Sequence, residues 1–377
     1  MTETKGKAAQ APRKGRNGPS TGPSAGPLRL ELALQGGGAH GAFTWGVLDR
    51  LLEEPGIEIV ALSGASAGAM NAVLVAHGLM HGGPDAAKRA LWQFWKGVAR
   101  AARSLRAADA AFAMLAPPPG LSASGLLPFA LWSATHAAWR TFAEQAAGQV
   151  TQDLNPLGPL LERLVDFAAL RQPQAPRLFL SATDVASGNL RVFRNADLSA
   201  AAVLASACLP QLFHAVEIDG RAYWDGGYLA NPPLAPLIAE SPGDDLLVVQ
   251  VNPAYRAGVP AGAAAIAERV NEISFNASLG NELRGILALK RALGAIKPAD
   301  CPDDPLLRRL ASLRLHRIAA EESDFAPGQS SRRIPEWSAL QALHGAGRRA
   351  ADAWLSQFGA SLGQESTFTA IAEGDRA

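Results

Sequence analysis

Cysteine, net charge and uninterrupted apolar runs are all scarce in this 377-residue chain. Two cysteines, Cys208 and Cys301, exclude a disulfide framework and a Cys-based zinc site. The 35 basic and 34 acidic residues leave a net charge of +1, so no overall field points to nucleic acid. Residues 110–139 hold no Asp, Glu, Lys or Arg, but Pro117, Pro118, Pro119 and Pro128 cut that stretch into pieces too short to span a bilayer as one helix. The first 27 residues carry Lys5, Lys7, Arg13, Lys14 and Arg16 but no apolar core of a secretory signal. With 48% hydrophobic residues, the length suits one large domain or two ordinary ones with ample surface to bury. The expectation is a cytoplasmic globular protein, either an enzyme or a large binding domain.

Residues 1–27 read as a disordered basic tail, because Gly, Pro, Ser and Lys bury too little to offset their ordering entropy. Its charge would suit peripheral contact with an anionic membrane, or serve only solubility. From Leu28 the pattern changes. Leu28–Leu34 reads as a strand, Ala42–Leu52 as a helix with Val47, Leu48, Leu51 and Leu52 on one face, and Ile57–Leu62 as a second strand. A small-residue helix follows from Ala67 to about His77. Strands and helices alternating over short connections predict an α/β fold with a mostly parallel sheet. Leu178–Thr183, Leu246–Val251 and Leu313–Ile318 are further candidate strands, and Leu190–Phe193 with Val216–Ile218 suggest a local antiparallel excursion. A helical insertion runs over about 85–171 and carries Trp92, Trp95, Trp132 and Trp139. It reads either as core helices packed on the sheet or as an apolar cap that meets lipid. The catalytic unit is placed at 28–240, an extension completing the sheet and helices at 241–363, and a frayed tail at 364–377.

Three short motifs carry chemistry. Gly36-Gly37-Gly38-Ala39-His40-Gly41 directly follows the first strand, so bare backbone amides converge at a helix N-terminus and favour an anion or an oxyanion. The same run matches a dinucleotide fingerprint, but the second strand ends Val60-Ala61-Leu62-Ser63 without the carboxylate a ribose requires. Gly64-Ala65-Ser66-Ala67-Gly68 is a nucleophile elbow: a serine on a tight strand-to-helix turn, flanked by glycines because larger side chains would collide. Ser66 needs a base. Among seven histidines, His214 and His316 come closest to a suitable position, and both read better as structural. Trp224-Asp225-Gly226-Gly227 offers another answer. An Asp followed by two glycines is often a plain turn, but the apolar approach Ala222-Tyr223-Trp224 would desolvate Asp225 and raise its pKa toward that of a general base.

The order of these motifs resembles the patatin-like phospholipases, in the stretches LALQGGGAHGAFTWGVLDRLLE, LSGASAGAMNAVL and YWDGGYLANPPLAPLI, over roughly Leu30 to Leu237. The resemblance implies a patatin-like three-layer α/β/α fold and a lipid acyl hydrolase needing neither cofactor nor metal. Ser66 would be the nucleophile, Asp225 the base, and the amides of Gly37 and Gly38 the oxyanion hole, with Gly36, Gly41, Gly64, Gly68, Gly226 and Gly227 shaping the loops. Many members carry Arg or Lys where this chain has His40, so a fixed positive charge beside the loop is missing here. The implied partner is a lipid or other acyl-ester substrate. A catalytically inactive patatin-like domain that binds lipid or a partner is the alternative, and within acyl transfer a transacylase is open as well.

Overall fold

The computed structural model describes residues 26–114, 155–210, 213–253, 255–296, 303–321, 324 and 336–368. In chain order the elements are β1 (Leu28–Leu34), α1 (Gly41–Leu51), β2 (Ile57–Gly64), α2 (Ala67–Met114), α3 (Leu157–Leu164), α4 (Phe167–Leu170), β3 (Arg177–Asp184) and β4 (Leu190–Arg194). Then come α5 (Ala200–Ser206), β5 (Val216–Ile218), β6 (Arg221–Asp225), α6 (Leu234–Glu240), β7 (Asp245–Gln250), α7 (Ala263–Ala295), α8 (Pro305–Ser312), β8 (Arg314–Ala319) and α9 (Trp337–Phe358).

One sheet runs β5-β6-β3-β2-β1-β7-β8, with β4 also paired to β3. The five strands from β3 to β8 are mutually parallel, and β4, β5 and β6 form the antiparallel excursion. Alternation along the central strands sends side chains to two cores. Leu32, Leu34, Leu62, Leu247 and Val249 pack with α1, α2 and α9 on one face. Ala33, Ala61, Leu246 and Val248 pack with α6, α7 and α8 on the other. The result is a three-layer α/β/α fold with a mostly parallel sheet, as the motif order implied.

Two local expectations change. The Asp225 motif lies at the end of a strand and not simply in a turn. Asp219 and Gly220, at φ 52° and 74°, close a tight hairpin between β5 and β6, the positive-φ pair that a two-residue hairpin demands. The helix after Ser66 also runs further than His77. It breaks at Gly82 and Gly83 and resumes at Pro84, a residue suited to a helix's first turn. Within the expected insertion, Trp95 is buried and donates from Nε1 to Asn71 Oδ1 at 3.1 Å, whereas Trp92 is exposed. Trp132, Trp139 and the whole proline-rich stretch 117–128 lie outside the described residues, as do 1–25 of the tail. Among the described residues no helix is long and apolar enough to cross a membrane.

Residues 364–368, expected to fray, are instead fastened to β8. Thr367 and Phe368 amides donate to Leu315 O, and His316 Nδ1 lies 2.9 Å from Thr367 Oγ1. The fastening centres on buried Asp245, which accepts from Arg314 Nη2 at 2.8 Å and Gly363 N at 2.9 Å, with His316 Nε2 2.9 Å away. Burial alone would raise the Asp245 pKa, but the hydrogen bonds from His316 and Arg314 hold it well below the usual carboxylate range. A depressed native pKa stabilises the fold above the ordinary Asp value and loses that effect as pH falls through the acid range. Asp245→Ala should therefore cost about 1.5–3 kcal/mol at neutral pH, since it leaves Arg314, His316 and the Gly363 amide without their acceptor. Thermal melts should show the gap to wild type narrowing below pH 4, and a constant gap would contradict this assignment.

Candidate active site

The sheet register explains how two residues far apart in sequence come to one place. At their carboxyl ends β2 and β3 pair with Gly64 opposite Leu180, while β3 and β6 pair with Ala182 opposite Asp225. Gly64 and Asp225 thus flank β3 two positions apart, and Ser66 follows Gly64 by two residues. β1 lies on the other side of β2, with Leu34 opposite Gly64, so the glycine loop opens at the same edge. Chain order reverses between β1 and β7, and open α/β sheets form their crevices at such a point.

Ser66 takes φ 53°, one of two described non-glycine residues at positive φ, the strained elbow its motif implies. Its amide donates to Ser206, both to the carbonyl at 3.0 Å and to Oγ at 3.1 Å. The elbow fits only because its neighbours lack side chains. A Cβ on Gly68 would lie 2.1 Å from Leu34 O, and one on Gly36 would lie 2.5 Å from Ala65 O and 2.8 Å from Ser66 Cβ. Gly41 opens α1, Gly64 closes β2, and Gly226 and Gly227 begin a short 3-10 turn after β6.

Asp225 is fully buried. Its Oδ1 accepts the Gly227 amide at 2.8 Å, and its carbonyl accepts Thr183 Oγ1 at 2.9 Å. Oδ2 is buried and makes no hydrogen bond of ordinary length. Burial pushes the Asp225 pKa up to about 7, and the amide of Gly227 and the nearby Ser66 hydroxyl offset only part of that rise. The serine and the carboxylate are therefore neighbours without a tight hydrogen bond. Such contacts commonly tighten only when substrate binds.

Gly37 is buried and Gly38 exposed at φ 54°. Neither amide donates to the protein among the described residues. Both glycines line, with Ser66, Leu209, Asn252, Asn271 and Phe275, a slot of about 20 Å³, room for about one water. Larger concavities of about 450 Å³ lie beside Arg50 and Leu355 and beside Asp184 and Arg221, away from the motifs. His40 is fully buried and is not among the slot residues. His316 belongs to the Asp245 cluster, and His214 is exposed. Among the described residues no group of three or more His, Cys, Asp or Glu converges as a metal site would require.

Sequence reasoning missed three buried amides behind the loop: Gln35, Asn231 and Asn252. Gly36 N donates to Asn231 Oδ1 at 2.7 Å, and Asn252 Nδ2 donates to Gly36 O at 3.2 Å. Gln35 Oε1 accepts the amides of Val251 and Asn252, each at 2.9 Å. The one signal in the sequence was position, each lying directly at a strand end or just past the Asp-Gly-Gly motif.

The site thus brings together a strained serine at a strand end, two glycines of the loop and a desolvated carboxylate. The chain belongs to the patatin-like phospholipase family, whose model, described as "Patatin-like phospholipase", matches residues 32–238. Uncharacterized NTE family proteins of Mycobacterium bovis and Mycobacterium tuberculosis are 31% identical over 242 residues, 64% of this chain and 52% of theirs. The chain thus spans about half the length of those curated relatives. VipD from Legionella pneumophila is a similar solved structure at 16% identity and a TM-score of 0.34, over 87% of this chain and 67% of that one.

The raised Asp225 pKa also sets a stability prediction. A group whose native pKa exceeds its unfolded value favours the fold at low pH and loses that benefit as pH rises through the native value. Asp225→Asn, which can still accept the Gly227 amide, should melt higher than wild type at pH 8, with the difference shrinking toward pH 5. Equal melting temperatures across that range would contradict the desolvated carboxylate.

Proposed function

We propose that the protein cleaves carboxylic ester bonds of lipids through an acyl-enzyme on Ser66. Asp225 accepts the Ser66 hydroxyl proton as Oγ attacks the ester carbonyl carbon. The carbonyl oxygen becomes an oxyanion facing the Gly37 and Gly38 amides, which have no competing acceptor to leave. Collapse breaks the ester bond, and the departing alcohol takes the proton from Asp225. Water, deprotonated by Asp225 in turn, then releases the fatty acid and restores the serine.

The observation that carries this reading is a fully buried carboxylate with a pKa near 7, beside a serine held at positive φ. A carboxylate at its ordinary pKa is a weak base at neutral pH. One raised to about 7 is matched to the task, and a catalytic function explains why the fold tolerates the cost of burying it. Peripheral contact with a lipid surface belongs to the same proposal, since the ester bonds of a bilayer lipid lie just below its head groups. The reading as an inactive lipid- or partner-binding domain draws on one observation, the 20 Å³ slot, too narrow as it stands for an acyl chain.

Soluble p-nitrophenyl esters and phospholipid vesicles, assayed side by side, test the proposal. Ser66→Ala should lose at least about a thousandfold in kcat on both while keeping its melting temperature. In wild type, kcat/KM should rise with pH through an acid limb near 7, because only ionised Asp225 is a base. Undiminished turnover by Ser66→Ala would overturn the nucleophile, and a flat profile from pH 5 to 8 would overturn the base.

A further inference from the structure

Asn231 stands behind the glycine loop with no exposed surface, in a segment that neither the serine nor the aspartate mechanism uses. Its carboxamide engages the Gly36 residue in both directions. Gly36 N donates to Oδ1 at 2.7 Å, and Nδ2 donates to Gly36 O at 3.2 Å. The same Nδ2 also donates to Phe275 O at 3.1 Å, on the α7 helix whose Phe275 ring walls the slot. One side chain therefore uses three hydrogen bonds to join the start of the loop to the slot wall, across 195 residues of chain.

Those bonds fall at a position where small errors matter. Gly36 packs directly on the Ser66 elbow, and the next two residues, Gly37 and Gly38, line the slot. A rotation of the Gly36 peptide would swing the Gly37 and Gly38 amides away from Ser66. Gly36, Gly37 and Gly38 have no side chains of their own to resist it. Asn252 supplies a second donor to Gly36 O, but the Gly36 amide has Asn231 as its acceptor.

We infer that Asn231 is a positioning residue for the oxyanion hole: its side-chain amide fixes the Gly36 peptide so that the Gly37 and Gly38 amides converge on the Ser66 hydroxyl, and ties that peptide to the Phe275 wall. The inference rests on the acyl-enzyme reading for its catalytic consequence, but not for its structural one. Asn231 touches no reacting atom. Its effect falls on the transition state and not on ground-state substrate, because the oxyanion exists only after attack.

The full-length protein carries the test, with Asn231→Ala, the isosteric Asn231→Asp and Leu315→Ala, a core truncation in β8 remote from the loop. Hydrogen exchange read by mass spectrometry on the peptide covering 34–40 needs no turnover. Asn231→Ala should speed exchange there by at least about tenfold, and Leu315→Ala should not. On a soluble p-nitrophenyl ester, Asn231→Ala should lose about 100-fold in kcat with KM within about threefold of wild type. Asn231→Asp, which keeps the acceptor for the Gly36 amide, should retain more of kcat. Leu315→Ala should keep wild-type kcat despite a lower melting temperature. Unchanged exchange at 34–40 in Asn231→Ala overturns the inference whatever the activity. So does a kcat loss in Leu315→Ala that matches Asn231→Ala at equal melting temperature. A wild-type protein with no esterase activity would sink the acyl-enzyme reading alone, and the exchange result would still decide whether Asn231 holds the loop.

Discussion

Everything at the site depends on β3 lying between β2 and β6. Its pairing on one side sets where the Ser66 elbow emerges, and on the other side where β6 delivers Asp225. The hydroxyls of Ser181 and Thr183, both on β3, reinforce that placement by donating to the carbonyls of Ala230 and Asp225. A slip of one residue in either ladder would turn a side chain to the opposite face, because strand side chains alternate. The buried cores on both faces of the sheet forbid that slip. Packing remote from the chemistry therefore holds the serine and the carboxylate together.

The same region gathers features that cost stability. Ser66 sits at positive φ, Asp225 is fully buried with only Gly227 and Ser66 offsetting its desolvation, and the Gly37 and Gly38 amides beside the slot have no acceptor among the described residues. Each is unfavourable alone, by roughly 1–3 kcal/mol for the strained backbone. Elsewhere the chain follows the ordinary rules. Asp245, equally buried, is surrounded by Arg314, His316 and the Gly363 amide, and its pKa moves the opposite way. Two buried aspartates with opposite shifts separate the roles: Asp245 is held ionised to fasten the fold, and Asp225 is left able to take a proton.

Much of this architecture was legible from the residues. Leu28–Leu34 and Val216–Ile218 were read to the residue because glycine, proline or charged breaks bound short apolar runs. Burial of Asp225 follows from Ala222-Tyr223-Trp224, whereas the strand that carries it is marked only by the Asp219-Gly220 hairpin just before that apolar run. Asn231, Gln35 and Asn252 could not be found by pattern. Single amides beside turns look solvated, and their partners on and beside the glycine loop and on α7 lie 44 to 241 residues away. The order of 364–368 escaped for the same reason. Ser366 and Thr367 have no apolar periodicity, and their attachment depends on His316 and Leu315 in another strand.

The central claim is that an acyl group passes through the oxygen of Ser66. Rapid acid quench of the enzyme during turnover of a p-nitrophenyl ester, followed by peptide mass mapping, tests it directly. The account predicts a mass increment of one acyl group on the peptide containing Ser66, matched by an equal burst of p-nitrophenol. Steady turnover with that peptide unmodified, or with the acyl group on another residue, would contradict it.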